Sequence, residues 1–259
     1  MLTIIIPAYN EEKRIPATLE SYGGFFLEKE KKSGLKTKIL VVINNSSDNT
    51  LGVVENYHKK FKNITYLNLI RGGKGYATVE GFKEALRKDS DFIGFVDADM
   101  ATSPEAFYDL YKNIGKAQGI IASRWKNGAK VKRSSGKLFR SKGFNILTRF
   151  LFLFPYQDTQ CGAKIFRKNV VKEIVDNLES AEWAFDVNIL YLCKVNKFKI
   201  KEHPTIWEDK EGSKITSIKV PIKMAGGVIR LRLLKSPFKV IVRAYDKFLA
   251  KIIKMHNLI

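Results

Sequence analysis

The 259-residue chain is 45% hydrophobic and carries 46 lysines and arginines against 26 acids, a formal charge of +20 at pH 7. That length and apolar content suit one large domain, or one domain with an appendage, and the charge calls for an anionic partner: nucleic acid, an acidic membrane surface or phosphorylated substrates. Two cysteines, Cys161 and Cys193, exclude a disulfide framework, and with three histidines they exclude a Cys/His zinc cluster, so a reducing compartment is expected.

The opening MLTIIIPAYN has no cationic leader, long apolar core or cleavage site, so no signal peptide is expected. The runs at 2–7 (LTIIIP), 38–43 (KILVVI), 64–69 (ITYLNL), 92–96 (FIGFV) and 120–123 (IIAS) read as strands. Helices are predicted between them near 11–32, 51–61, 75–88 and 104–117. Near-continuous Ile/Val/Leu strands alternating with helices predict an α/β fold, a mostly parallel sheet covered on both faces. The second half is less regular: a basic then apolar helix over 134–154, a strand over 163–166 and a helix over 184–195. Its densest apolar run, FLFLFP at 150–155, falls far short of the roughly 20 residues that span a bilayer, so no transmembrane helix is expected.

From about Thr216 onward the chain is basic and apolar, with Asp246 its one acid. Over 238–255 the pattern has helical period, with Lys239, Arg243, Lys247, Lys251 and Lys254 recurring on one face. That is how a helix lying in a membrane interface reads, and also how one packed on its own domain or on a second copy reads.

In parallel sheets ligands bind beyond the carboxyl ends of the strands. Polar clusters fall there, at 8–12, 44–50, 71–75 and 97–99. Asp97 and Asp99 flank Ala98 just past the fourth strand. If the strand runs on through them, alternation puts both carboxylates on one face, where they repel. A divalent cation such as Mg2+ or Mn2+, shared with a substrate phosphate, relieves that repulsion; a solvated strand-end turn accounts for the pair equally well. RGGKGYA at 71–77 lacks Walker A spacing. Its glycines, Lys74 and the helix start behind them suit either contact with a diphosphate or a tight strand-to-helix turn.

Taken together, IIIPAYNEEKRI (4–15), VVINNSSDNT (41–50), GGKGYA (72–77) and VDADMAT (96–102) resemble, in order and spacing, the family 2 glycosyltransferases of the GT-A (Rossmann-like) fold. DTQCGAKIF (158–166), EWAFDVNILYL (182–192) and WEDKEGSKI (207–215) look like the dolichyl-phosphate β-glucosyltransferase subgroup. The resemblance implies a catalytic domain over 1–215, followed by C-terminal basic amphipathic helices over 216–259 that lie on a membrane. It implies inverting transfer of a hexose, glucose from UDP-glucose, to a polyprenyl (dolichyl) phosphate. The enzyme would work peripherally at the cytoplasmic face of an anionic membrane, with Mg2+ or Mn2+.

By the same resemblance Asp99, with Asp97, holds the metal. Pro7, Ala8, Tyr9, Asn10 and Glu11 wall the nucleoside, while Lys74, Gly75 and Ala98 approach the diphosphate and sugar. Arg124, Arg133, Arg140, Gln160, Lys164, Trp183, Asp186 and Lys214 border the acceptor phosphate or the sugar. Asp158 is the family's base or an orienting group. A phosphate acceptor is already anionic, so cations that bind it matter more than a strong base. One departure stands out: where the family usually has two acids after the second strand, this chain has Ile43 and Asn44. The Asn44 amide oxygen can still accept a uracil imide N–H. Within the family a mannosyl donor or a glycan acceptor is the alternative. Nucleic acid, invited by charge alone, is not expected as a partner, because no nucleic-acid-binding fold motif accompanies the charge.

Overall fold

A computed structural model of the chain describes residues 1–132, 135–178, 184–209, 219–237 and 239–240. The first half alternates as its apolar runs predict: β1 (Leu2–Ala8), α1 (Ile15–Ser33), β2 (Thr37–Asn44), α2 (Thr50–Lys60), β3 (Ile64–Leu69), α3 (Lys74–Arg87), β4 (Phe92–Phe95), α4 (Pro104–Asn113) and β5 (Gly119–Ser123). There follow β6 (Lys130–Lys132), α5 (Ser135–Phe152), β7 (Lys164–Arg167), α6 (Lys168–Ile174), α7 (Phe185–Val195), β8 (Ile200–Pro204), β9 (Ile206–Glu208) and α8 (Lys219–Leu234). The first helix starts four residues later than its pattern predicts, because residues 9–14 are taken up by a loop at the end of β1.

The seven-stranded sheet has the order β3-β2-β1-β4-β7-β5-β8. β1 pairs in parallel with both β2 and β4, so the order reverses between β1 and β4. That reversal opens a crevice at the carboxyl ends of those two strands. β7 runs antiparallel between β4 and β5, placing Lys164 opposite both Phe95 and Ile121. An antiparallel strand starts where its neighbours end, so the loop leading into β7 arrives at the same edge as the loops leaving β1 and β4.

Alternation along each strand feeds two cores. Leu2, Ile4, Ile6 and Ala8 of β1, with Ile39, Val41 and Ile43 of β2, pack with Leu19, Tyr22 and Phe26 of α1 and Phe107 of α4. Ile5, Leu40 and Val42 face the other way, onto Phe82 of α3, Val170 of α6 and Ile189 of α7. This two-sided burial is why β1 and β2 read as continuous apolar runs. A third cluster joins Phe152, Phe154 and Tyr156 to Leu190 of α7 and to Val228 and Leu231 of α8. Both cysteines are buried and free, and burial pushes each thiol up to about 12.

No helix among the described residues is long and apolar enough to cross a membrane. Most of the helical pattern predicted over 238–255 lies outside the described residues.

Candidate active site

The two carboxylates that end the fourth apolar run do not sit on a strand. β4 stops at Phe95, and Asp97, Ala98 and Asp99 occupy the turn beyond it. Strand alternation is therefore not what brings the pair together. The turn does so, through Met100 at φ 60°, a left-handed conformation unusual for a side chain of that size. Helix α1 fastens the turn from behind: Thr18 Oγ1 donates to the Ala98 carbonyl at 2.7 Å, and Tyr22 Oη donates to the Thr102 carbonyl at 2.9 Å. Asp99 Oδ1 accepts the Ala101 N–H at 3.0 Å. Burial, then the charge on Asp97, push the Asp99 carboxyl above its ordinary value.

Asp97 is held the other way. Burial would raise its carboxyl, but the charge and hydrogen bond of Lys74, then the charges of Lys164 and Arg124, keep it below the usual range. Lys74 is the first residue of α3, and its ammonium pairs with Asp97 Oδ1 while both side chains keep a solvent-facing part. Gly73, at φ 127°, turns the chain so that the first N–H groups of α3 open toward the same edge. Gly75 packs beneath them on Phe185. On the far side of Asp97, a Cβ at Gly162 would overlap its carboxylate.

The loop after β1 forms a second wall. Pro7 and Ala8 end the strand, and Tyr9 is half exposed. Asn10, at φ 52°, accepts the Ser47 N–H at 2.8 Å, and its own N–H donates to Ser46 Oγ at 3.1 Å. Glu11 donates its N–H to Thr50 Oγ1 at 2.8 Å, and its carboxylate receives Arg14 Nε at 2.7 Å. Asp48 accepts the N–H groups of Thr50 and Glu12 at 3.0 and 3.1 Å, so it ties the loops after β1 and β2 together. At the end of β2, Asn44 is buried and its Oδ1 has no partner among the described residues.

The acceptor-side expectations meet a different geometry. Arg124 and Lys164, expected to border the acceptor phosphate or the sugar, are 8% and 0% exposed and already paired. Lys164 Nζ binds Asp186 Oδ1, donates to the Cys161 carbonyl at 2.6 Å and lies 5.4 Å from the centre of the Phe95 ring. Arg124 forks onto Asp158, Nε to Oδ2 at 2.7 Å and Nη2 to Oδ1 at 2.9 Å, and its guanidinium lies over Trp207. Asp158 is fully buried and also accepts the backbone N–H groups of Arg124, Gln160 and Cys161. Burial would raise its carboxyl, but the charge and hydrogen bonds of Arg124 hold it below the usual range. A carboxylate with five donors on it is a poor proton acceptor.

Arg133, Trp183 and Lys214 lie outside the described residues, as does the side chain of Arg140 in α5. Several supporting residues were not legible beforehand. Arg14 faces Glu11 across one turn, and Gly162 makes room for Asp97. Glu202 of β8 accepts the N–H groups of Gln157 and Asp158 at 2.8 and 2.7 Å. Glu–x–x–Arg spacing within 11–14 was the one usable signal; Gly162 and Glu202 act through contacts far apart in sequence.

A mostly parallel sheet with its order reversed at β1 and β4, two carboxylates in the turn beyond β4, and a lysine at a glycine-led helix start form an arrangement suited to holding a diphosphate and a cation. The family model described as glycosyl transferase family 2 matches residues 3–175, and the chain belongs to that family. Among its relatives, a dolichyl-phosphate beta-glucosyltransferase of Trichomonas vaginalis is 34% identical over 237 residues, covering 89% of this chain and 72% of that one. One from Homo sapiens is 28% identical over 246 residues, covering 90% and 75%.

Solved structures of the same GT-A fold include glucosyl-3-phosphoglycerate synthase from Mycobacterium tuberculosis in complex with Mn2+ and UDP-glucose. It matches at TM-score 0.64 and 15% identity over 91% of this chain and 78% of that one. A mannosyltransferase from Pyrobaculum calidifontis, in complex with GDP-Man and Mn2+, matches at TM-score 0.63 and 16% identity over 94% and 68%.

Proposed function

We propose that this glycosyltransferase moves glucose from UDP-glucose to a polyprenyl (dolichyl) phosphate, with inversion at the sugar C1, at the cytoplasmic face of an anionic membrane. The observation that carries the reading is the meeting of Asp97, Asp99, Lys74 and the α3 N-terminus at the β1/β4 crevice. The names of the relatives support the donor sugar and the acceptor.

The residues fit a divalent cation. Asp97 and Asp99 bring two carboxylates, hard oxygen donors of the kind Mg2+ or Mn2+ prefers, into one turn, close enough that the charge on Asp97 adds to burial in raising Asp99. Asp99, with Asp97, would hold the ion, and it would supply charge stabilisation to the leaving diphosphate. Lys74 and the first N–H groups of α3 bind the same diphosphate, because a helix N-terminus carries partial positive charge. The buried Oδ1 of Asn44, which has no partner among the described residues, accepts the uracil imide N–H, while Tyr9 and the Glu11–Arg14 pair line the nucleoside.

An acceptor phosphate oxygen attacks C1 while the bond from C1 to the diphosphate breaks and UDP departs with the electron pair. The attacking oxygen is already anionic, so no proton has to leave it. That suits a site in which the expected base, Asp158, is saturated with donors. Asp158 instead holds Arg124 and the 158–162 loop against Asp97, and Lys164 does the same for Asp186. Residues 1–215 are the catalytic domain, and 216–259 meet the membrane.

The test is a panel of UDP-glucose, other UDP-hexoses and GDP-mannose with dolichyl phosphate and a divalent metal, read by product mass. Dolichyl-phosphate hexose from UDP-glucose is the expected product. A product from GDP-mannose alone, or transfer only to a glycan acceptor, overturns the assignment.

A further inference from the structure

Helix α1 meets the turn of Asp97 and Asp99 with residues four positions apart. Thr18 and Tyr22, both fully buried, hold the carbonyls of Ala98 and Thr102. Arg14, four residues before Thr18 at the cap of the helix, continues that face toward the two acids. Beyond Glu11, its charge is felt by Asp99 and then by Asp97. Burial and Asp97 raise the Asp99 carboxyl, and the charges of Lys74 and Arg14 work the other way. The acid pair is thus acted on by one cation from α3 and one from α1.

The same guanidinium forks onto Glu11, Nε to Oε2 at 2.7 Å and Nη2 to Oε1 at 2.5 Å. The Glu11 backbone is fixed separately: its N–H donates to Thr50 Oγ1, and its carbonyl accepts the N–H groups of Arg14 and Ile15 at 3.0 and 2.9 Å. What is left to set is the carboxylate at the end of a rotatable side chain, and a two-point fork fixes both its place and its plane. One planar cation therefore serves the loop after β1 and the turn after β4, the two walls of the crevice. We propose that Arg14 is a positioning residue for donor binding: it aims the Glu11 carboxylate at the nucleoside and offsets part of the negative charge that draws a divalent cation to Asp97 and Asp99. This rests on the donor site of the proposed function and adds what balances its two halves. The two effects have opposite signs. A cation beside metal-holding carboxylates repels a divalent ion, so Arg14 loosens the metal when no nucleotide is bound. By ordering Glu11 beforehand, it tightens the nucleotide.

The test uses the full chain at neutral pH. Mn2+ binding without nucleotide is read from the loss of the free-ion paramagnetic resonance signal, and UDP binding at saturating Mn2+ by calorimetry. Arg14→Gln removes both charge and fork. It should bind Mn2+ about threefold more tightly, the scale of one partly screened charge, and UDP about tenfold more weakly, the scale of one charge-assisted hydrogen bond. Arg14→Lys keeps the charge and loses the fork, so its Mn2+ affinity should match the wild type while UDP binding still falls. Thermal melts report separately whether each variant is folded.

A residue that only props the fold would lower both affinities together, in both variants; that outcome, or no change in either affinity, overturns the proposal. So does wild-type UDP binding in Arg14→Lys, which would show that the fork is not needed. If Arg14→Gln fails to fold, Arg14→Lys decides by itself, because it separates the two ligands with the charge retained. The donor reading is judged apart from this. The same split seen with GDP and not with UDP keeps Arg14 and removes the uridine assignment. A wild-type chain that holds neither Mn2+ nor either nucleotide removes the donor site and this role with it.

Discussion

Replacing Asp158 by Asn separates a structural clamp from a catalytic base. The carboxylate is fully buried and receives five hydrogen bonds of 2.7–3.1 Å, from Arg124 N, Nε and Nη2 and from the N–H groups of Gln160 and Cys161. An amide of the same shape turns one acceptor oxygen into a donor that faces other donors, and it leaves the Arg124 guanidinium, 8% exposed, without a counter-charge. Breaking a buried pair from one side costs about 3–5 kcal/mol, which in a chain of this size lowers Tm by roughly 6–20 °C.

The pH dependence has a definite sign. The folded-state carboxyl lies below its ordinary value, so its contribution is complete above the unfolded pKa and fades as pH falls through the folded one. Urea unfolding of the two proteins at pH 7 and at steps below pH 4 is the assay. The gap should be full at pH 7 and narrow in acid. Arg124→Gln together with Asp158→Asn should recover much of the loss, because no charge is then left buried. A variant of wild-type stability that has lost transfer would refute the clamp and return Asp158 to the role of base.

Three further expectations follow from the same geometry. Asp99→Asn should lower transfer roughly 10²–10³-fold, the scale of one charge-stabilising group, while leaving Tm at neutral pH equal or higher. The sign follows from its raised carboxyl, whose ionisation in the folded state works against stability; a lower Tm in a thermal melt would contradict it. Gly162→Ala must displace the Asp97 carboxylate, and a shift of that kind costs about a hundredfold in kcat, so near-normal steady-state turnover would show that Asp97 need not sit where it does. Deleting 238–259 removes lysines and arginines worth about 1 kcal/mol each near an anionic leaflet. It should weaken flotation with anionic vesicles while UDP protection in thermal melts persists, and unchanged flotation would place the anchor outside 238–259.

The sequence alone determined the alternation of strands and helices in the first half, because strands buried on both faces must be apolar throughout and cannot be mistaken for amphipathic helices. It also determined that polar loops would gather at the strand ends, since a parallel sheet allows them no other edge. The motif loops of Asp97, Lys74 and Asn10 were legible for that reason. Tertiary structure decided the rest.

Nothing local announces that β7 runs antiparallel, yet that reversal brings Asp158, Gly162 and Lys164 to the crevice. Nor does a charge reveal its partner: Arg124 and Lys164 read as cations bordering the acceptor, and only the fold shows them paired inside with Asp158 and Asp186, residues 34 and 22 positions away in the chain. Ion pairs of that kind are chosen by which strands become neighbours.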